Sequence, residues 1–380
     1  MDATEYSSLV EALTAVPDPR HARGKRHAWR DVMTIIGAAL ASGQRTIRAI
    51  GQWSHEHRDD LVATLKPRND RLPSTITLYR ALRAVAPSAF ESVVGSFIEH
   101  QEAAGIERGR WRGQAIDGKT LRGVLAHGRS VHLVSLTRHG SGAVLAQQVV
   151  AEKANEIVAA PQLLAGRDLR DTVTTMDALL AQRSLAAQIL GQGGHYLISV
   201  KRNQPTLYED IALWFETPVR LVGEDGWDEV TTVGKGHGRL ERRTLVASTA
   251  LNDYVNWPGV GQVLKRTCRR LILKTGQVHE ETSYGITSLT PEQASAAHLE
   301  ALWRGHWTIE NRLHYVRDVT FGEDAGQAHC GHTPQNLAVI RNALLVLIRR
   351  NHWSSVADAL RHYGASPERA LRLVTGTSPP

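Results

Sequence analysis

The chain has 380 residues, 42% of them hydrophobic, which is enough for two or three packed domains and too apolar for wholesale disorder. Its net charge of +7 favours a partner rich in phosphate. No apolar run is long enough to span a bilayer, no secretory leader opens the chain, and the only cysteines, Cys268 and Cys330, exclude a disulfide framework and suit a reducing cytoplasm.

Residues 1–108 read as a helical domain. Leu9, Leu13 and Val16 start a short helix, Val32 to Ala41 form a buried one, Ser74 caps Thr75 to Val85, and an amphipathic helix runs from Phe90 to about Ala104. Between the first two lies a polar loop, Asp18 to His27, punctuated by Pro and Gly. Its basic residues Arg20, Arg23, Lys25 and Arg26, with Arg30 and with Thr75, Thr77, Arg80 and Arg83 on the capped helix, are expected to meet phosphates or a groove.

The texture changes near residue 109. Strands are predicted at Gln114–Asp117, Val131–Leu136 and Ala143–Val150, then a helix from Asn155 to Leu164, a strand Thr172–Met176, a helix about Ala181 to Leu190 and a strand His195–Val200. This alternation predicts an α/β mixed sheet flanked by helices over residues 109–217. Residues 218–295 carry alternating β-like runs around Glu229–Val233, Arg242–Val246 and Arg269–Leu273 and read as a β-rich insertion. Helices return over 296–380, from Pro291 through Arg317 and from Pro334 to Asn351; no internal repeat is visible.

Two motifs place an acid after an apolar strand: Ala115-Ile116-Asp117-Gly118-Lys119 and Val173-Thr174-Thr175-Met176-Asp177. For either alone a turn aspartate is the commoner reading, but together they resemble two carboxylates at neighbouring strand ends, the oxygen donors that divalent ions take. A third motif runs from Trp303 to Asp318. On an α-helix His306, Glu310, His314 and Arg317 share one face, beside an apolar stripe of Leu302, Ile309, Leu313 and Val316. Trp303 and Trp307 beside that face suggest a substrate-facing surface rather than a solvated one, with Arg317 available to a phosphate. Phosphodiester cleavage suits three carboxylates, because two divalent ions ~3.5–4 Å apart activate the attacking oxygen and neutralise the leaving one. In that scheme Asp117 bridges both ions while Asp177 and Glu310 hold one each; Asp318 and Glu323 are the alternatives for the last acid.

These residues resemble a known family, the insertion-sequence DDE transposases of the ISAs type, also called H-repeat-associated proteins. The resemblance runs over nearly the whole chain. It includes Leu13 to Arg20, Arg23 to His27, Ala115 to Arg122, Lys153 with Asn155-Glu156-Ile157, Thr174 to Ala178, and Lys201, Asn203, Gln204 and Pro205. It continues through Gly236 to Arg239 with Glu241 and Arg243, His306 to Asn311, Leu313-His314, Asp318 to Phe321, and Glu323-Asp324, all in the family's order. It implies an RNase H-like catalytic core with the β-rich insertion before the last acid. It also implies two magnesium ions, with manganese as a substitute, and Asp117, Asp177 and Glu310 as the triad.

Such an enzyme would cut and rejoin insertion-sequence ends, with its element's inverted repeats and a target DNA as partners. A homodimer would hold the two ends, and the setting would be a bacterial cytoplasm, at the nucleoid. Contacts to DNA phosphates are expected from Lys119, His306, His314 and Arg317, from Arg239, Arg242 and Arg243 in the insertion, and from Arg23, Lys25 and Arg26. One departure concerns the last motif. Broader relatives carry Tyr, Arg and Lys around the final acid, and the positions here are Trp303, His306 and Arg317.

Two other function classes compete. Gly113-Gln114-Ala115-Ile116-Asp117-Gly118-Lys119-Thr120 satisfies the P-loop pattern of a nucleotide hydrolase, although the apolar strand then lies inside the supposed loop. A catalytically silent transposase descendant would bind DNA without cutting it. His329-Cys330-Gly331-His332 reads as a polar loop rather than a zinc site, which needs four spaced ligands.

Overall fold

A computed structural model describes residues 6–103, 111–120, 131–150, 155–217, 227–325 and 330–377. The helices, in chain order, are α1 (Leu9–Ala15), α2 (Trp29–Ala41), α3 (Ile47–Glu56), α4 (Arg58–Leu65), α5 (Thr75–Ala84), α6 (Pro87–Ala103), α7 (Glu156–Leu164), α8 (Arg183–Gly191), α9 (Pro205–Glu216), α10 (Ala296–His306), α11 (Thr333–Arg350), α12 (Val356–Gly364) and α13 (Pro367–Thr375). The strands are β1 (Arg112–Thr120), β2 (His132–Arg138), β3 (Val144–Val150), β4 (Thr172–Met176), β5 (His195–Val200), β6 (Trp227–Gly236), β7 (Arg239–Ser248), β8 (Gln262–Ile272) and β9 (Val278–Thr287). They form one sheet in the order β3-β2-β1-β4-β5-β9-β8-β7-β6. The part β3-β2-β1-β4-β5, with β4 parallel to both β1 and β5, is the RNase H-like core the sequence led us to expect.

The chain divides into two compact units built from interleaved segments: Met1–Arg108 with Gly118–Lys153 and Thr308–Pro380, and Gly109–Asp117 with Ala154–Trp307. In the first, Ser8 and Ser74 cap α1 and α5 by accepting the Glu11 and Thr77 amides. Val32 to Ala41 are all buried, because α2 is apolar nearly all round and packs against both α1 and α13. The helix α3, capped by Thr46, and α4 were not read from the sequence. Their buried apolar residues are few (Ile50, Trp53 and Leu61), so the periodicity is faint. β2 and β3 pair antiparallel, and α11, buried along most of its length, packs on α6.

In the second unit, β9 joins β5 antiparallel and a meander β9-β8-β7-β6 continues from it. The expected β runs are therefore longer than read, and β9 is a strand the sequence did not announce: its first half, Val278 to Thr282, is polar and exposed. The core gathers Val173, Leu197, Leu245, Leu264, Leu299 and Trp303. Trp303 is 5% exposed, which corrects its expected place on a substrate-facing surface. Its ring fills the space over Gly285, where a Cβ would lie 2.7 Å from Trp303 Cη2. Truncating such a buried indole costs about 3–5 kcal/mol.

Candidate functional site

The two aspartates belong to the second unit. Asp117 is not at a strand end, as expected, but within β1, which continues to Thr120 while its pairing with β4 stops at Ile116↔Met176. Asp117 and Asp177 are thus the next residues in register on adjacent parallel strands, whose spacing is about 4.8 Å. Beneath them every residue of β4 is buried, and its threonines bond across to β1: Gln114 Nε2 donates to Thr174 Oγ1 at 2.9 Å, and Thr175 Oγ1 donates to the Gln114 carbonyl at 3.1 Å. Asp177 Oδ1 accepts the Leu180 amide at 3.2 Å, which fixes the carboxylate in its turn. Carboxylates on neighbouring strand positions repel one another when both are ionised. A cation between them removes that cost, and hard oxygen donors suit a divalent one.

His306 closes α10 in the same unit, with Nδ1 3.1 Å from Thr175 Oγ1. Burial lowers its pKa, against the opposing pull of the Asp177 charge. An imidazole held toward its neutral form is a poor counter-ion for phosphate, so His306 reads as a hydrogen-bond partner of Thr175 that feels the Asp177 charge.

Glu310 belongs to the first unit. The single α-helical face expected for His306, Glu310, His314 and Arg317 does not form. α10 ends at His306, and the chain continues in two π-helical stretches, Ile309–His314 and Val316–Thr320. Their wider i→i+5 turn moves side chains off the α-helical stripe, and such turns recur at functional sites. Glu310 is 57% exposed, and its Oε2 lies 3.3 Å from Nδ1 of the buried His314. The His314 hydrogen bond lowers the Glu310 pKa against a smaller burial effect, and the His314 and Lys119 charges add to the lowering.

The neighbouring acids are closed. Asp318 forms an ion pair with Lys119, whose side chain is largely buried, so the lysine expected on phosphate is neutralised inside the unit. Glu323 lies between two arginines: Arg317 Nη2 is 2.7 Å from Oε2 and Arg341 Nη1 is 3.1 Å from Oε1. Arg317 Nη1 also donates to Gln147 Oε1 at 3.1 Å. Arg317 is fully buried, and this corrects its expected role: a guanidinium ion-paired with Glu323 in the interior holds the fold and has no open face for a phosphate. Burial opposes ionisation of Glu323, but the charges of Arg317 and Arg341 outweigh it and lower its pKa.

In the insertion, Arg239, Arg243 and Arg270 gather around Glu241. Arg239 Nε is 2.7 Å and Arg270 Nε 3.4 Å from Oε1, and Arg243 pairs with Oε2. Arg270 also pairs with Glu281 at 3.2 Å, so three guanidiniums against two carboxylates leave this cluster net positive. Arg23 is exposed, Lys25 stands 3.7 Å from Asp18, and Arg26 lines a cleft between α3 and the segment leading into α5. Residues 112–120 are an extended strand and cannot cradle a phosphate as a P-loop does, so that reading fails. Leu121, Arg122, Lys153 and His329 lie outside the described residues. No helix among the described residues is long and apolar enough to cross a membrane.

Comparison with known proteins follows the same lines. A family described as "transposase DDE domain" matches residues 108–347, and one described as "DDE_Tnp_1-associated" matches residues 10–98. A putative transposase of Escherichia coli O157:H7, YncI, is 30% identical over 90% of this chain and 87% of its own length. An H repeat-associated putative transposase of Escherichia coli K12, YhhI, is 27% identical over 90% of this chain and 91% of its own. A solved piggyBac transposase synaptic complex with hairpin DNA overlays 96% of this chain and 78% of its own at 11% identity and a TM-score of 0.48, a likeness too weak to bear on fold or function.

Proposed function

The chain belongs to the transposase DDE domain family, a family of enzymes that act on DNA, and on that premise we propose that Asp117, Asp177 and Glu310 are its catalytic acids. The observation that carries the reading is the register of β1 and β4, which brings Asp117 and Asp177 out side by side. Glu310 is favoured as the third over Asp318 and Glu323 because those two are already paired: Asp318 is neutralised by Lys119, and Glu323 by Arg317 and Arg341.

The family implies dependence on a divalent metal. Asp117, Asp177 and Glu310 would hold two magnesium ions, which supply activation of the attacking oxygen and neutralisation of the leaving one. The Leu180 amide keeps the Asp177 carboxylate in place, and His314 keeps Glu310 ionised. Water attacks the phosphodiester at an end of the element; the freed 3′-hydroxyl then attacks target DNA. His314 is buried and serves Glu310 rather than DNA, whereas the Glu241-centred arginines, Arg239 and Arg243, lie along the DNA path in this reading, and a homodimer holds the two ends.

The test is magnesium-dependent cleavage of DNA carrying the element's own ends, by wild type and by Asp177→Ala. Cleavage by wild type and its loss in the variant are expected. Equal cleavage by both would sink the triad. Binding without cleavage by wild type would favour a silent DNA-binding descendant.

A further inference from the structure

The meander ends on β6, which pairs with β7 residue for residue over ten positions, from Trp227↔Ser248 to Gly236↔Arg239, without a bulge. In such an antiparallel ladder alternate residues turn their N–H and C=O groups away from the neighbouring strand. β6 is the last strand of the sheet, so no strand receives those groups among the described residues. The run Val230-Thr231-Thr232-Val233, β-branched throughout, keeps the edge extended. A long, regular edge of this kind is a template for another strand, and soluble proteins ordinarily shorten, bend or cover it.

The side chains of β6 select what that strand is. Val230 packs against the core beside Leu299 and Trp303 of α10, whereas Glu229, Thr231, Val233 and Lys235 share the opposite, exposed face. A second copy brought up antiparallel about a two-fold axis must pair odd residues with odd and even with even, since a slip of one residue would turn every side chain to the other face. Centring the axis on Thr232 sets Glu229 against Lys235 of the partner subunit, and by symmetry the reverse, with Thr231 against Val233 of the partner subunit. The next permitted registers, centred on Thr231 or Val233, set Glu229 against Val233 or past the end of the strand. Charge therefore selects one register. The ion pairs of β7, β8 and β9 run among Arg239, Glu241, Arg243, Arg270 and Glu281 and leave Glu229 and Lys235 without an opposite charge among the described residues.

Two further features fit the same axis. Thr232 Oγ1 is buried and has no hydrogen-bond partner among the described residues. On the axis it stands opposite its own copy, and a facing threonine supplies a donor or an acceptor. Gly234 and Gly236 are not required by their own chain: a Cβ at Gly236 would meet nothing within 4 Å, and one at Gly234 only Arg243 Nη1 at 3.5 Å. Glycine inside a strand that has no bulge marks a place where another backbone comes close.

We propose that β6 is a homodimer interface, at which two copies of this chain join edge to edge in one antiparallel ladder with Thr232 on the two-fold axis. Main-chain hydrogen bonds supply the affinity of such strand addition, and the two Glu229–Lys235 pairs fix its register. The proposal gives the homodimer of the functional reading its surface, and it rests on neither the three acids nor DNA.

The experiment is sedimentation equilibrium of the full chain, without DNA and in EDTA, so that failure of the triad does not bear on the result. Wild type is expected to dimerise. Lys235→Glu and Glu229→Lys each place two like-charge pairs across the axis and are expected to raise the dimer dissociation constant by about 10-fold or more. The two variants shift net charge in opposite directions, so weakening by both separates register from overall charge. Glu229→Lys/Lys235→Glu restores both pairs and should return the dissociation constant to the wild-type value. All three changes lie on an exposed face, and recovery in the double variant shows that the fold tolerates them. A wild type that stays monomeric at every soluble concentration, single variants that dimerise as wild type does, or a double variant no better than the single ones would each overturn the proposal.

Discussion

Glu310 and Glu323 stand in the same compact unit and have opposite surroundings. Glu310 sits on a π-helical stretch, more than half exposed, with one histidine against it. Glu323 is buried between Arg317 and Arg341, with Gln147 and Asn342 completing the network. The difference teaches how to tell a working acid from a structural one. A carboxylate that the fold has already neutralised has no charge left to offer a ligand. One that is ionised, open and held by a single weak partner does.

The largest expected effect is on activity. Glu310→Gln should lose more than the ~10–100-fold that follows removal of a mere supporting partner of a metal ligand. Because the site is exposed, its melting temperature should match wild type, within the ~0.5 kcal/mol of an ordinary surface change. Cleavage assays beside thermal melts read both, and an active Glu310→Gln would erase the distinction drawn here.

Next in size is Glu323→Gln, which leaves two guanidiniums buried with their counter-charge gone. Breaking a buried ion pair in this way costs about 3–5 kcal/mol, so denaturant melts should show a large loss of stability. Native-like stability in this variant would mean the Arg317–Glu323–Arg341 network is not what closes that region.

A third carboxyl sharpens the comparison, because it is half-buried with no cation paired to it among the described residues. Glu91 on α6 is pushed up to about 7 by burial, against a smaller opposing hydrogen bond from Gln147. Its folded pKa is raised, so the sign is opposite to that of Glu323. The protonated form fits the fold, and the associated stability is complete below about pH 4.5 and lost as pH rises through about 7. Glu91→Gln should therefore be more stable than wild type at pH 8, by at most about 3 kcal/mol, and close to it at pH 4. A pH-independent difference in melts would show that the carboxyl does not titrate in the fold.

The smallest effect concerns the histidine that distinguishes Glu310. The His314 hydrogen bond depresses the Glu310 pKa, so His314→Ala should move it back toward the ordinary value. The acid limb of a metal-binding titration should then shift to higher pH. An unmoved limb would mean that another group sets the charge of Glu310.

Much of this protein was legible in the chain itself. The β4 and β5 runs appear at their observed bounds because β-branched and apolar residues fill them end to end, and α2 and α11 because both are apolar around most of their circumference. Asp117 and Asp177 announced themselves by following such runs. β9 was hidden because half of it is polar, and α3 and α4 because they bury so little. The role of Arg317 was misread because an α-helical period was carried through a stretch that turns as a π-helix.

Sequence alone thus determined which residue types stand ready for phosphodiester chemistry, since that depends on local runs and spacing. Register between β1 and β4, the closure of Glu323 by a residue eighteen positions away, and the place of β6 at the edge of the sheet were decided by tertiary structure. Charges separated along a chain have no fixed relation until the packing of apolar faces sets which of them are neutralised and which are left open to a ligand.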